Sequence, residues 1–218
     1  MGKLVIFDLD GTLSDSGPGI TRCVQHAYRT MGYPEQTEEV LRSFIGPPLV
    51  TQFMAVSGMT RDQAWKATEI YREQYERDGK FDNTVYPGIP ELLKDLRDAG
   101  FSTAVGTSKP GMFTTQIIDH FGLTPLFDTI SAPGPDETRS NKQFIIEQAM
   151  ETLGYADRKK DVIMVGDRKY DIVGAKSAGV TSVGVTYGFG DRRELEEAGA
   201  DVIVDSVEEL RGYLLGQS

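Results

Sequence analysis

The sequence predicts an α/β fold: a parallel sheet assembled from two stretches of chain, with an α-helical cap domain inserted between them. Three observations carry this. Short apolar, β-branched runs recur, and each stops at an acidic, hydroxyl or glycine cluster. From about residue 84 onward such runs alternate with amphipathic helical patterns. From Ser16 to about Asn83, by contrast, no convincing strand pattern occurs. Runs that are apolar on both faces suit strands buried between helices. Their alternation with helices is the signature of a parallel sheet with right-handed crossovers.

The strand candidates in order are Lys3–Phe7, Ser102–Val105, Asp161–Val165 and Thr181–Val185, with weaker ones at Phe127–Ser131 and Asp201–Val204. Between them, Ile89–Ala99 carries Leu92, Leu93 and Leu96 at helical spacing and ends at Gly100. Phe113–Phe121 ends at Gly122, Ile172–Ala178 at Gly179, and Val207–Leu215 near Gly216. Ser140–Leu153 opens on Ser140-x-x-Gln143, a capping-box pattern, and closes at Gly154. In the strand-free interval, Ile20–Met31 and Arg61–Arg77 read as amphipathic helices. Glu38–Phe44 and Leu49–Val56 read as shorter ones, separated by Gly46-Pro47-Pro48. A helical block of about 65 residues is too long for an ordinary strand-to-helix connection. The expected division is therefore a sheet domain of residues 1–15 and 84–218 and a helical cap of residues 16–83, with Trp65 packed inside the cap.

Composition narrows the function classes. The 218 residues include 33 Asp and Glu against 23 Lys and Arg, a formal net charge of −10. So acidic a surface disfavours nucleic acid polymers and anionic membranes. It also means that any anion site must be built locally, from a cation, a lysine or backbone N–H groups. One cysteine, Cys23, and two histidines, His26 and His120, exclude an intrachain disulfide and Cys- or His-rich metal centres. Leu4–Phe7 is too short for a signal peptide, and no apolar run approaches the roughly 18 residues of a membrane span. Position 6 is Ile where a myristoylation signal needs Ser or Thr. A soluble, cytoplasmic protein is expected.

Four constellations carry chemistry. Asp8-Leu9-Asp10-Gly11-Thr12 follows the first strand, placing two carboxylates two residues apart. At about 4 Å and an effective dielectric near 20 they would repel by roughly 4 kcal/mol, so a proton or a cation is needed nearby. An isolated Asp-x-Asp-Gly reads more readily as an Asx turn, but directly after Lys3–Phe7 the functional reading prevails. In Gly166-Asp167-Arg168-Lys169-Tyr170-Asp171, Asp167 sits at a strand's carboxyl end, where ligands of open α/β sheets collect, and Asp171 suits a helix N-cap. Thr107-Ser108-Lys109-Pro110 joins hydroxyls to a helix start, either a simple cap or a phosphate pocket. Lys142 lies in a first helical turn, where the helix dipole opposes a cation, a position better suited to meeting carboxylates and phosphate than solvent. Gly184, Gly188 and Gly190 form a glycine-rich stretch that lacks dinucleotide-binding spacing, and the acidic segment Asp191–Glu197 reads as a solvated face.

Together and in this order, the four constellations resemble a haloacid dehalogenase-superfamily phosphatase with a helical cap inserted after the first motif. Asp8-Leu9-Asp10-Gly11-Thr12-Leu13 matches that family's first motif, Thr107 its second, Lys142 its third, and Gly166-Asp167 with Asp171 its fourth. Gly166–Asp171 and Gly46-Pro47-Pro48-Leu49 resemble the phosphoglycolate phosphatase and 5′-nucleotidase-like branch. Lys142 is followed by Gln143 where the family often has proline, which keeps Lys109 as an alternative phosphate-contacting lysine.

The resemblance implies a Rossmann-like core and hydrolysis of a small phosphomonoester, a nucleoside monophosphate or phosphoglycolate. It implies Asp8 as nucleophile through an aspartyl-phosphate, Asp10 as acid and base, and Lys142 as charge compensation. Thr107, Ser108 and Lys109, with Gly46 and Pro47 from the cap, would contact substrate. Mg²⁺ would be held by Asp8, the Asp10 carbonyl and Asp167, with Asp171 supporting. A phosphosugar mutase of the β-phosphoglucomutase type shares these aspartates and is the alternative enzyme. A non-catalytic binding protein is disfavoured by so costly a charge cluster. Oligomeric state is left open.

Overall fold

The computed structural model describes residues 2–134 and 141–217. In chain order the elements are β1 (Leu4–Phe7), β2 (Ser14–Asp15), α1 (Gly17–Thr30), α2 (Glu38–Arg42), α3 (Leu49–Ser57), α4 (Arg61–Gln74), β3 (Thr84–Val85), α5 (Ile89–Asp98), β4 (Ser102–Gly106), α6 (Gly111–His120), β5 (Thr129–Ser131), α7 (Lys142–Leu153), β6 (Val162–Gly166), α8 (Lys169–Ala178), β7 (Thr181–Val185), α9 (Arg192–Ala198), β8 (Val202–Val204) and α10 (Val207–Leu215). The chain divides into two compact units, one running to Ser14 and resuming at Val85, the other Asp15–Thr84.

The first unit is built on a six-stranded sheet of order β5-β4-β1-β6-β7-β8. Every pairing in it is parallel. All four residues of β1 are fully buried, as a central strand covered on both faces requires. Leu4 and Ile6 pack with Ala104, Val162 and Met164 and with Ile146, Ala149, Met150, Ala175 and Ala178 of α7 and α8. The alternate residues Val5 and Phe7 point to the opposite face. Strand order reverses at β1: the chain proceeds to β4 and β5 on one side, then to β6, β7 and β8 on the other. A crevice at the carboxyl ends of the strands forms at such a switch point. Asp8, Thr107 and Asp167 each follow the last residue of a strand there.

The second unit is helical. Tyr28, Phe44 and Phe53 form a buried aromatic cluster, with ring centroids 4.7 Å apart for Phe44 and Phe53 and 5.4 Å for Tyr28 and Phe53. The Tyr28 hydroxyl is hydrogen-bonded to Ser57 Oγ. A Thr60–Gln63 capping box starts α4, which runs on into a π turn at Tyr75–Gly79. Gly19 and Gly79 let α1 and this turn touch: a Cβ at Gly19 would stand 2.2 Å from the Gly79 carbonyl oxygen, and one at Gly79 2.5 Å from the sulfur of buried Cys23.

Three sequence expectations are corrected. Trp65 is 50% exposed, with the Arg72 guanidinium 5.7 Å from its ring, rather than packed inside the helical unit. Helix α7 is capped by Asn141, whose side chain accepts from Gln143 N, so Lys142 is its first residue; Ser140 lies outside the described residues. Asp171 does not cap α8: the cap position is Arg168, and Asp171, one turn in, reaches back to accept its N–H. The two-residue strands β2 and β3 were also missed, being too short to show a period.

The switch-point strand carries the core. Ile6→Ala is expected to lower unfolding free energy by about 2–5 kcal/mol in urea titrations, and Ile6→Val by roughly 0.5–1.5 kcal/mol.

Candidate active site

Asp8 extends the β1 ladder by one bond, its N–H donating to Val165 O at 2.9 Å, so its side chain emerges beside the ends of β4 and β6. Its Oδ1 accepts from Leu9 N at 2.8 Å and lies 3.0 Å from Lys142 Nζ. Lys142 Nζ also lies 2.7 Å from Asp171 Oδ1 and donates to Gly106 O at 3.1 Å. Three acceptors match the three protons of an ammonium group. The lysine reaches them from the first turn of α7 because α8 approaches closely: a Cβ at Gly174 would stand 2.7 Å from Lys142 Cβ and Cγ. Lys142 is 7% exposed.

Asp167 is fully buried after β6. Its Oδ2 accepts from Phe189 N at 2.7 Å, and Thr12 Oγ1 donates to Oδ1 at 3.5 Å. Asp171, 1% exposed, accepts from Arg168 N at 3.1 Å through Oδ2 while Oδ1 faces Lys142. Carboxylate oxygens of Asp8, Asp167 and Asp171 all lie within 4.8 Å of one another. Burial pushes the Asp8 carboxyl up to about 6 against the pull of Lys142, with Asp171 and Asp10 adding to the rise. Burial also drives Asp167 well above the carboxylate range, reinforced by Asp171 and Asp8. For Lys142, burial works against the charge, but Asp171 and Asp8 outweigh it and hold the ammonium above its ordinary range.

Asp10 has a lysine of its own: Lys109 Nζ lies 2.8 Å from its Oδ2, and both side chains are largely buried. The two lysines therefore divide the carboxylates, Lys142 with Asp8 and Asp171, Lys109 with Asp10. Gly11, at φ 81°, turns the chain after Asp10. Thr107, buried, continues from β4 with its N–H on Ser131 O at 3.1 Å, and its Oγ1 accepts from Lys109 N at 3.2 Å. Ser108 is the next residue of the same loop. Gly46 and Pro47 belong to the helical unit, between α2 and α3, with Gly46 at φ 104°.

Sequence reasoning missed the loop after β7. Set aside as lacking dinucleotide spacing, Thr186–Gly190 instead supplies the Phe189 N–H to Asp167, and the Tyr187 hydroxyl donates to Thr12 O at 3.1 Å. Burial, with the charge of Asp167 adding, raises the Tyr187 phenol, so it stays a donor. The signal was present as glycines directly after a buried strand. Nor is α9 simply a solvated face, since its Glu194 accepts from Arg168 Nε at 2.9 Å and Lys169 N at 2.8 Å.

The donor set fits a hard divalent cation. It is all oxygen, it is buried, and Asp167 makes no ion pair among the described residues, so a cation would supply the charge that its burial demands.

The chain is similar to known proteins over most of its length. The family description "haloacid dehalogenase-like hydrolase" matches residues 5–185. The chain is 42% identical over 191 residues to a protein of Pseudomonas aeruginosa named 5′-nucleotidase, covering 88% of this chain and 86% of that one. It is 32% identical over 217 residues to a phosphoglycolate phosphatase of Vibrio parahaemolyticus, covering 95% and 94%. The crystal structure of a predicted phosphatase from Clostridium acetobutylicum superposes with a TM-score of 0.92 at 43% identity, covering 99% of both chains. With the buried carboxylates gathered at the switch point of a parallel sheet and a family match over most of its length, the chain belongs to the haloacid dehalogenase-like hydrolases and is a phosphoric monoester hydrolase.

Proposed function

We propose that the protein is a Mg²⁺-dependent phosphatase that hydrolyses nucleoside 5′-monophosphates through an aspartyl-phosphate on Asp8. The observation that carries this reading is the Asp8 carboxylate, buried at the end of β1. Among the described residues its polar contacts, from Leu9 N and Lys142 Nζ, fall on Oδ1, leaving Oδ2 for bonding to phosphorus. The name of the Pseudomonas aeruginosa relative supports the nucleotide; that of the Vibrio parahaemolyticus relative makes phosphoglycolate the second substrate to test.

In this reading Asp8 Oδ2 attacks phosphorus in line with the leaving oxygen. The P–O bond to the alcohol breaks as Asp10 delivers a proton to the departing oxygen. Asp10, now ionised, takes a proton from the water that cleaves the aspartyl-phosphate, releasing phosphate and restoring Asp8. Lys109 Nζ, 2.8 Å from Asp10 Oδ2, fixes the position of this carboxyl beside Asp8. Thr107, Ser108 and Lys142 hold phosphoryl oxygens, and Lys142 offsets charge as it builds in the transition state. Mg²⁺, held by the Asp8 carboxylate, the Asp10 carbonyl and the Asp167 carboxylate with Asp171 in support, would supply electrostatic neutralisation of the phosphoryl oxygens. Choice of the leaving alcohol is assigned to the helical residues 16–83, with Gly46 and Pro47 as the first positions to vary. These small-molecule requirements fit a cytoplasmic enzyme.

A folded-state carboxyl raised from 3.8 to about 6 binds its proton more tightly than in the unfolded chain. Its stabilising contribution is thus full below pH 3.8 and is lost as pH rises through about 6. In metal-free protein, Asp8→Asn should remove up to roughly 3 kcal/mol of this decline, flattening stability between pH 4 and 7 in urea titrations. An unchanged slope would contradict the rise that burial imposes on the Asp8 carboxyl. The same variant should lose at least about 10³-fold in kcat while remaining folded. A chelator should stop phosphate release and added Mg²⁺ restore it. Across a panel of esters, nucleoside 5′-monophosphates should release free phosphate with the highest kcat/KM and no bisphosphate activator; a bisphosphate requirement would point to a mutase instead.

A further inference from the structure

We propose that the loop after β7, Thr186–Gly190, is a clamp that fixes the Asp167 carboxylate in its cation-binding orientation, with Tyr187 and Gly188 as positioning residues for divalent-ion affinity. The inference rests on the reading of Asp167 as a cation ligand.

Both oxygens of Asp167 are held, each by a different segment. Phe189 N–H donates to Oδ2 at 2.7 Å, and the Thr12 hydroxyl donates to Oδ1 at 3.5 Å. A carboxylate restrained at both oxygens cannot rotate freely about its last bond, and each oxygen keeps a further lone pair for an ion. Partners of this kind orient a metal ligand and set its affinity.

The glycines are required for space rather than for backbone shape. Among the described residues, neither Gly188 nor Gly190 is a positive-φ glycine. A Cβ at Gly188 would nevertheless stand 2.2 Å from Gly11 O, 2.5 Å from Asp167 Cβ and 2.6 Å from Asp167 Oδ2. One at Gly190 would stand 2.0 Å from Asp167 O. From the other side, a Cβ at Gly11 would meet Asp167 Oδ2 at 2.1 Å and the Phe189 ring at 2.7 Å. The first-motif turn, Asp167 and this loop therefore meet at backbone distance, and no side chain fits between them.

Tyr187 ties the loop down. Its hydroxyl donates to Thr12 O, the same residue whose side chain faces Asp167, and its ring meets Tyr86 edge-on at 5.0 Å. The base of the loop is anchored separately, Thr186 N donating to Val204 O at 3.1 Å and Thr186 Oγ1 to Asp205 Oδ1 at 2.6 Å. Loss of the phenol should loosen the loop tip and the Thr12 turn together while leaving that base in place.

The test is calorimetric titration of full-length metal-free protein with MgCl2 and MnCl2, alongside thermal midpoints in chelator. Gly188→Ala is expected to weaken cation binding by roughly 10–100-fold, and Tyr187→Phe by several-fold, with the Tyr187→Phe midpoint in chelator close to wild type. Saturating Mg²⁺ should then restore much of the kcat lost in Tyr187→Phe. If Gly188→Ala does not fold, Tyr187→Phe decides alone. Wild-type cation affinity in Tyr187→Phe and in any folded Gly188→Ala would overturn the clamp while leaving Asp167 as a ligand. Absence of cation binding by the wild-type protein would overturn both the clamp and the reading beneath it.

Discussion

The site is organised by one electrostatic constraint: carboxylate oxygens of buried Asp167 and Asp171 and of largely buried Asp8 lie within 4.8 Å of one another around the Lys142 ammonium group. Burying an unpaired charge is expensive, and one lysine cannot balance three carboxylates. Lys142 engages Asp8 and Asp171, whereas among the described residues the hydrogen-bond donors to Asp167 are neutral, the Phe189 N–H and the Thr12 hydroxyl. Without further positive charge, the carboxyls of Asp8 and Asp167 rise, which trades nucleophile for acid. A divalent cation would relieve the same constraint while keeping Asp8 ionised, as the proposed chemistry requires.

Fold and site are coupled through the sheet. Asp8, Thr107 and Asp167 follow three adjacent strands, β1, β4 and β6, whose register leaves them side by side at the carboxyl ends. Lys142 and Asp171 come from the first turns of two helices that pack against the same strands and against each other across Gly174. The site thus rests on rigid elements rather than on long loops, as the proposed in-line attack on phosphorus would require.

Much of this was legible in the sequence because it is written locally. The run Thr181–Val185 and the helix Val207–Leu215 appear with the bounds their apolar patterns mark, since each is closed by glycine or polar residues. That Asp8, Asp167 and Lys142 would lie close together was legible because strand ends and helix starts converge at the carboxyl edge of a parallel sheet. What was not legible depends on contacts between distant residues. Gly188 must be small because of Gly11, and Gly174 because of Lys142, relations that no local period encodes. Trp65 looked like core by its type, yet its exposed ring lies near the Arg72 guanidinium on the surface of α4. The separate pairing of Lys109 with Asp10 likewise needed the β1 and β4 ends to be set side by side.

Where a divalent ion binds decides whether Asp8 and Asp167 share one cation. Crystals soaked in Mn²⁺ and measured at its absorption edge should give one strong anomalous peak about 2.1 Å from carboxylate oxygens of both Asp8 and Asp167. A peak only at surface carboxylates, with the Asp8–Asp167 pocket empty at saturating Mn²⁺, would contradict the account.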